Sequence, residues 1–193
     1  MHFIKSHILK VIAMLFFFGL SITSYAINPE KYVVNQQAPE NFPLVSKGKI
    51  ASILVSENDF KGVLRVTGHL ENDFFKISDL HPKRISKISE ASDFVIIIGT
   101  LGKSEIIDQL VREGKIDGSQ LKGKWEKFTT QIVDNPSKGI KKALVIAGSD
   151  KRGTIYGIYD LSSQMGISPW YFWADVPVKK QSELHVLPGI HTK

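Results

Sequence analysis

Between Ala143 and Lys180 an apolar strand, a helix with both ends marked and an aromatic segment follow one another without a break. The run Ala143 to Ala147 has no polar alternation, so it suits a strand that is buried rather than half-exposed. Ser149 or Asp150 can accept a hydrogen bond from the free amides of the first turn of the next helix, read over 152–165, and Gly166 ends it. Gly157 costs helix propensity inside that segment, and a close approach of the helix to the sheet accounts for it. A strand feeding directly into a capped helix makes an all-β or all-α chain untenable.

The rest of the sequence repeats this alternation. Residues 50–56 and 94–98 are short β-branched runs, and 94–98 is the most strand-like of all. After the first, Asp59 can cap a helix whose Phe60, Val63, Leu64, Thr67, Leu70 and Phe74 recur at helical spacing. After the second, Ser104 is placed as a cap, Ile106, Ile107, Leu110 and Val111 form the apolar stripe, and Gly114 stops it. Residues 125–133 and 142–147 flank an Asn, Pro and Gly turn and are expected to pair antiparallel. A last edge strand is read at 183–187. Strands interleaved with helices and one hairpin predict an α/β (α+β) fold, a mixed β-sheet with helices packed against it.

The ends of the chain carry different signals. Lys5 and Lys10 precede an apolar stretch, Val11 to Leu20, too short to span a bilayer, and Ser24, Tyr25 and Ala26 supply a cleavage site. Residues 1–26 are therefore expected to be a signal peptide with the mature chain starting at Ile27. That places the protein outside the cell or in the periplasm, with no membrane attachment once the signal is cut. No cysteine follows the site to take a lipid, and none occurs anywhere, which rules out disulfides and thiolate chemistry. Removing 26 of 193 residues leaves 167, enough for one domain, and the charge of +6 falls to +4 without Lys5 and Lys10. Lysines and glutamates are interspersed, so a nucleic-acid partner is not expected, while an acidic polysaccharide is compatible. Pro29, Pro39 and Pro43 mark 27–48 as a lead-in segment.

Two motifs invite chemistry and lose it. Gly99, Thr100, Leu101, Gly102, Lys103 and Ser104 sit between a strand and a helix, but Ile97 stands where a phosphate loop needs its first glycine. His69, His81, His185 and His191 lie far apart, without metal-ligand spacing or a nucleophile triad, so no metal, no cofactor and no catalytic residue is assigned.

Three features remain as candidate sites. Trp170, Tyr171, Phe172 and Trp173 form a cluster whose faces can stack on sugar rings or seal an interdomain seam, and Asp175 can accept hydrogen bonds there. Asp150 opens the helix at 152–165. Lys151 and Arg152 beside it are cations at a helix start, where the dipole does not favour them, so they face solvent or contact a neighbouring domain or an acidic sugar. Tyr156 and Tyr159 are read as core residues with hydroxyls at the rim.

The stretch Gly148 to Ser162, followed by Ser168 to Val178, closely resembles the N-terminal domain of glycoside hydrolase family 115, the xylan α-glucuronidases. The likeness runs back more weakly to about Lys49. It implies a domain over 49–180, similar to the one preceding the barrel in β-hexosaminidase-like glycosidases, with 181–193 a tail toward a catalytic barrel that the chain lacks. It implies as partners that barrel and a polysaccharide substrate, and as function an accessory role in removing glucuronic or 4-O-methylglucuronic acid from xylan. The chain alone is then expected to be inactive and to self-associate through its uncovered aromatic segment. The alternative is a stand-alone carbohydrate-binding module for acidic plant polysaccharide, with Trp170, Tyr171 and Trp173 as its platform.

Overall fold

The structure is a computed structural model and describes residues 31–170, 174 and 176–193. The signal peptide, Ile27, Tyr171, Phe172, Trp173 and Asp175 lie outside the described residues. A six-stranded sheet organises the chain, in the order β10-β7-β8-β6-β4-β5. Four of its strands run parallel, from the edge inward: β5 (Arg84–Ile85), β4 (Ser52–Val55), β6 (Phe94–Thr100) and β8 (Lys142–Gly148). β7 (Phe128–Asp134) pairs antiparallel with β8 as the turn residues predict, and β10 (Ile190–Thr192) pairs antiparallel with β7.

Parallel strands need crossovers, and the crossover helices cover both faces of the sheet. Helices α1 (Lys61–Ser78) and α3 (Lys151–Met165) share one face, where Leu70, Phe74, Ile158 and Leu161 meet Ile53, Ile96, Leu144 and Ile146. The alternate residues Leu54, Val95, Ile97 and Val145 point the other way, onto Ile107 and Leu110 of α2 (Glu105–Arg112). Double burial explains why these strands read as unbroken apolar runs. Gly157 is the close approach predicted for it: a Cβ there would come 2.6 Å from Ile146 Cγ2.

The boundaries at 49 and 180 need correction. The lead-in segment supplies β1 (Val33–Val34) and β2 (Phe42–Ser46), and the tail supplies β9 (Leu184–Val186) and β10. With β3 (Lys49–Ile50), three of these form a second, antiparallel sheet in the order β1-β9-β2-β3, so β9 is interior rather than an edge. Tyr32, Phe42, Leu44, Leu184 and Val186 are buried in the same core as α1 and α3, and Lys31–Lys193 forms one compact unit. The strand read from Trp125 begins instead at Phe128, leaving the Trp125 ring 79% exposed.

Candidate functional site

In a parallel sheet the place to look is outside the carboxyl ends of the strands, where successive crossovers diverge. From β4 the chain passes through α1 to β5 on one side; from β6 it passes through α2 toward β8 on the other. The first turns of α1 and α2 therefore leave from neighbouring strands, at a crevice where backbone amides normally await an anion. Here the anion is part of the chain. Asp59 is buried, accepts from the Thr100 N–H at 2.8 Å and the Thr100 hydroxyl at 2.9 Å, and also accepts from the Phe60 N–H at 2.7 Å. It acts as a clamp between strand ends rather than as the side-chain cap expected for α1, whose cap position is Phe60.

The same occupation extends through residues 100–104. The Gly102 N–H donates to Asp108 Oδ1 at 2.7 Å, the Leu101 N–H to the Gly148 carbonyl, and the Lys103 and Ser104 N–H groups to the Thr100 carbonyl. The four amides of residues 101–104 therefore already have partners within the chain.

At the start of α3, Asp150 caps as expected, accepting from the Gly153 N–H at 2.8 Å and the Glu126 N–H at 2.9 Å. Burial pushes its carboxyl up, but the amide bonds from Gly153, Glu126 and Arg152 outweigh that and hold it below the ordinary aspartate value. Arg152 is not presented freely to a ligand: its guanidinium pairs with Glu126 at 2.8 Å and donates to the Tyr156 hydroxyl at 2.9 Å. Those contacts explain a cation at a helix start. Lys151 is exposed, its stem lying near Gly62 of α1.

Trp170 lies beyond the other end of α3, 65% exposed, its N–H donating to the Ser168 hydroxyl at 3.1 Å. A 15-residue helix is about 22 Å long, so the structure does not bring Trp170 together with Asp150, Lys151 and Arg152. Between these two ends lies a groove of about 470 Å³ that sequence reasoning missed. His69, Asn72, Asp73 and Lys76 of α1 face Tyr159 and Ser162 of α3, while Ile167 and Pro169 close the end beside Trp170. His69 Nδ1 lies 3.0 Å from the Tyr159 hydroxyl, and Lys76 pairs with Asp73 at 3.4 Å. Tyr156 and Tyr159, read as core residues, are 39% and 45% exposed. The missed signal was a polar stripe: residues 69, 72, 73 and 76 recur at three and four residues beside the apolar stripe of Leu70, Phe74 and Ile77.

A glycosidic general acid needs a carboxyl group raised toward neutrality. Among the described residues the carboxyl groups with displaced pKa values all move down: Glu113 by Lys115, Asp117 by Ser119, Asp150 as above, and Glu183 to about 2 by the Lys47 amide and then His185. The described residues contain no cluster of side chains able to hold a metal ion, and no helix long and apolar enough to cross a membrane.

No protein-family model matches the sequence, and no curated protein matches it. Solved structures do. A family GH115 4-O-methyl-α-glucuronidase, BtGH115A, described as specific for decorated arabinogalactans, aligns over 79% of this chain at 29% identity and a TM-score of 0.63. The aligned part is 18% of that enzyme. CpGH84D aligns over 85% of this chain and 23% of its own at 11% identity and a TM-score of 0.44, too distant to support an argument. The chain thus spans less than a fifth of the GH115 enzyme it resembles, and shares with that part a mixed sheet covered by helices.

Proposed function

We propose that this chain is an accessory, non-catalytic domain of an exported glycoside hydrolase that removes glucuronic or 4-O-methylglucuronic acid from a decorated polysaccharide such as glucuronoxylan. The observation that carries the reading is the 29% identity and shared fold over 79% of the chain, matched to only 18% of a 4-O-methyl-α-glucuronidase. The chemistry of such an enzyme needs two carboxyl groups set across the scissile bond, one of them held protonated. The downward-shifted carboxylates and the buried, amide-bound Asp59 support placing that chemistry elsewhere in the enzyme.

The test is direct. The chain produced in a secreting host is expected to begin at Ile27 and to release no uronic acid from glucuronoxylan or from decorated arabinogalactan, measured by anion-exchange chromatography of the products. Sustained release by the purified polypeptide overturns the non-catalytic reading.

A further inference from the structure

From the corner of the domain where β7 and α3 both begin, we infer a docking surface for the next domain of a longer enzyme, centred on Trp125, Arg152 and Tyr156. The inference rests on the accessory-domain reading and adds to it which face is covered and by what kind of surface. The decisive observation is Trp125. Its indole is 79% exposed, more than any other large apolar side chain among the described residues, yet the backbone that carries it is tied down. The Glu126 N–H donates to Asp150 at 2.9 Å, the Lys127 N–H donates to the Ser149 hydroxyl at 3.0 Å, and the Ser149 N–H donates back to the Lys127 carbonyl at 2.9 Å. A Cβ on Gly153 would come 2.1 Å from that carbonyl oxygen, so the first turn of α3 lies directly against the segment. Glu126 sits at φ +56°, a left-handed conformation uncommon outside glycine. Displaying an apolar ring on a strained, cross-tied backbone is costly to the isolated domain, and association recovers that cost by burying the ring without first ordering a loop.

The neighbours of Trp125 are the residue types that concentrate binding energy at protein interfaces. Arg152 pairs with Glu126 at 2.8 Å, donates to the Tyr156 hydroxyl at 2.9 Å and lies 5.8 Å from the centre of that ring, so Trp125, Arg152 and Tyr156 are linked in one row. Trp, Arg and Tyr are the side chains enriched at interface hot spots. The internal bonds that close this end of α3 to a small anion are the same ones that make it a rigid surface.

Position names the occupant. β10 brings the chain back antiparallel to the start of β7, where Lys193 and Phe128 exchange N–H···O bonds of 3.2 and 3.1 Å, three residues from Trp125. The Lys193 ammonium pairs with Asp160, four residues beyond Tyr156 on the same stripe of α3. On the accessory-domain reading, residues that follow Lys193 therefore leave beside this row. Charge describes the surface they must present. Lys124, Lys127 and Lys151 are exposed with no ion-pair partner among the described residues, while Glu126 is taken by Arg152 and Asp150 by backbone amides. The complementary face is acidic, with a recess for the indole.

The experiment places residues 31–193, one compact unit, into BtGH115A in exchange for the part of that enzyme they match, and compares hydroxyl-radical oxidation of Trp125 in the hybrid and in the isolated chain by mass spectrometry. Trp125 should react severalfold more slowly in the hybrid, with the exposed Phe75 as the reference. Trp125→Ala should leave the melting temperature of the isolated chain unchanged and lower that of the hybrid by about 2 °C or more. Equal oxidation of Trp125 in a hybrid that still releases uronic acid overturns the surface and leaves the accessory reading standing. If the hybrid does not fold, the isolated chain is mixed with BtGH115A lacking its matched part, and absence of protection there overturns the surface as well. Protection of Trp125 in the isolated chain by a glucuronate-substituted xylo-oligosaccharide, or by raising the concentration of the chain itself, overturns the choice of partner. Uronic acid released by the isolated chain sinks the accessory reading and is scored separately from protection.

Discussion

The first turn of α3 is shut by the chain's own carboxylates, whereas its last turns border an open groove with a hydroxyl left unmatched. At the shut end Asp59 takes up the amides of Phe60 and Thr100, Asp150 takes up those of Glu126 and Gly153, and Arg152 is held by Glu126 and Tyr156. At the open end the buried Ser162 hydroxyl is unmatched, while the exposed Tyr159 meets His69 and the exposed Trp170 donates to Ser168. The difference teaches that the location favoured by fold alone, the carboxyl edge of a parallel sheet, is not a site once its donors are satisfied from within. An inventory of which polar groups are already matched discriminates better than topology does.

The shut end can be broken first at Asp59. Asp59→Ala removes a buried acceptor and strands the Thr100 N–H, while the Thr100 hydroxyl keeps the Thr154 hydroxyl at 2.7 Å, so unfolding free energy should fall by about 2 kcal/mol. Urea denaturation followed by circular dichroism measures it. A fall well under 1 kcal/mol would mean that water or another group replaces the carboxylate easily, and the shut end would then be as open as the groove.

How far this contrast could be read from sequence differs sharply between elements. Three of the four parallel strands and the last helix were legible because their signals are local: apolar runs at 50–56, 94–98 and 143–147, a capping Asp150 and a stopping Gly166, whereas the two-residue β5 gave none. The second sheet was not. Its strands are two to five residues long and pair across the whole chain, Val33 with Val186 and Phe42 with Val186, so no local period announces them. Pro43 misled most directly. It argued against regular structure in the lead-in, yet it sits where the β2 register shifts, a position at which a strand tolerates a residue without an N–H. The groove escaped for a related reason: its residues come from two helices about 90 positions apart in sequence, and neither contributes a motif by itself.

Acid should separate the two ends of α3 by a smaller margin. The Asp150 carboxyl is held below its ordinary value of 3.8, so the folded state binds its proton less readily than the unfolded chain does. Its contribution is therefore complete above the unfolded value and is lost as pH falls through the lower folded one. Amide exchange at 153 and 154 should accelerate across that window while 162–165 changes little. Asp150→Asn, which still accepts a hydrogen bond without a charge, should flatten the profile at a cost of a few tenths of a kcal/mol to about 1 kcal/mol. Equal acceleration at both ends would show that the helix opens as a unit, and the contrast between its ends would not be energetic.

The smallest effect is expected at Trp170. With 65% of its surface exposed, the ring gives up little packing on removal, and exposed substitutions of this kind usually stay within about 0.5 kcal/mol. Trp170→Ser should therefore leave the melting temperature nearly unchanged while reducing self-association, measured by light scattering across a concentration series, because a large apolar surface leaves the rim of the groove. The combination is what matters. Reduced association with unchanged stability keeps the end of α3 open and available to a partner. A melting temperature several degrees lower would instead mean that the indole is packed within the domain, that the groove is covered from that side, and that both ends of α3 are shut.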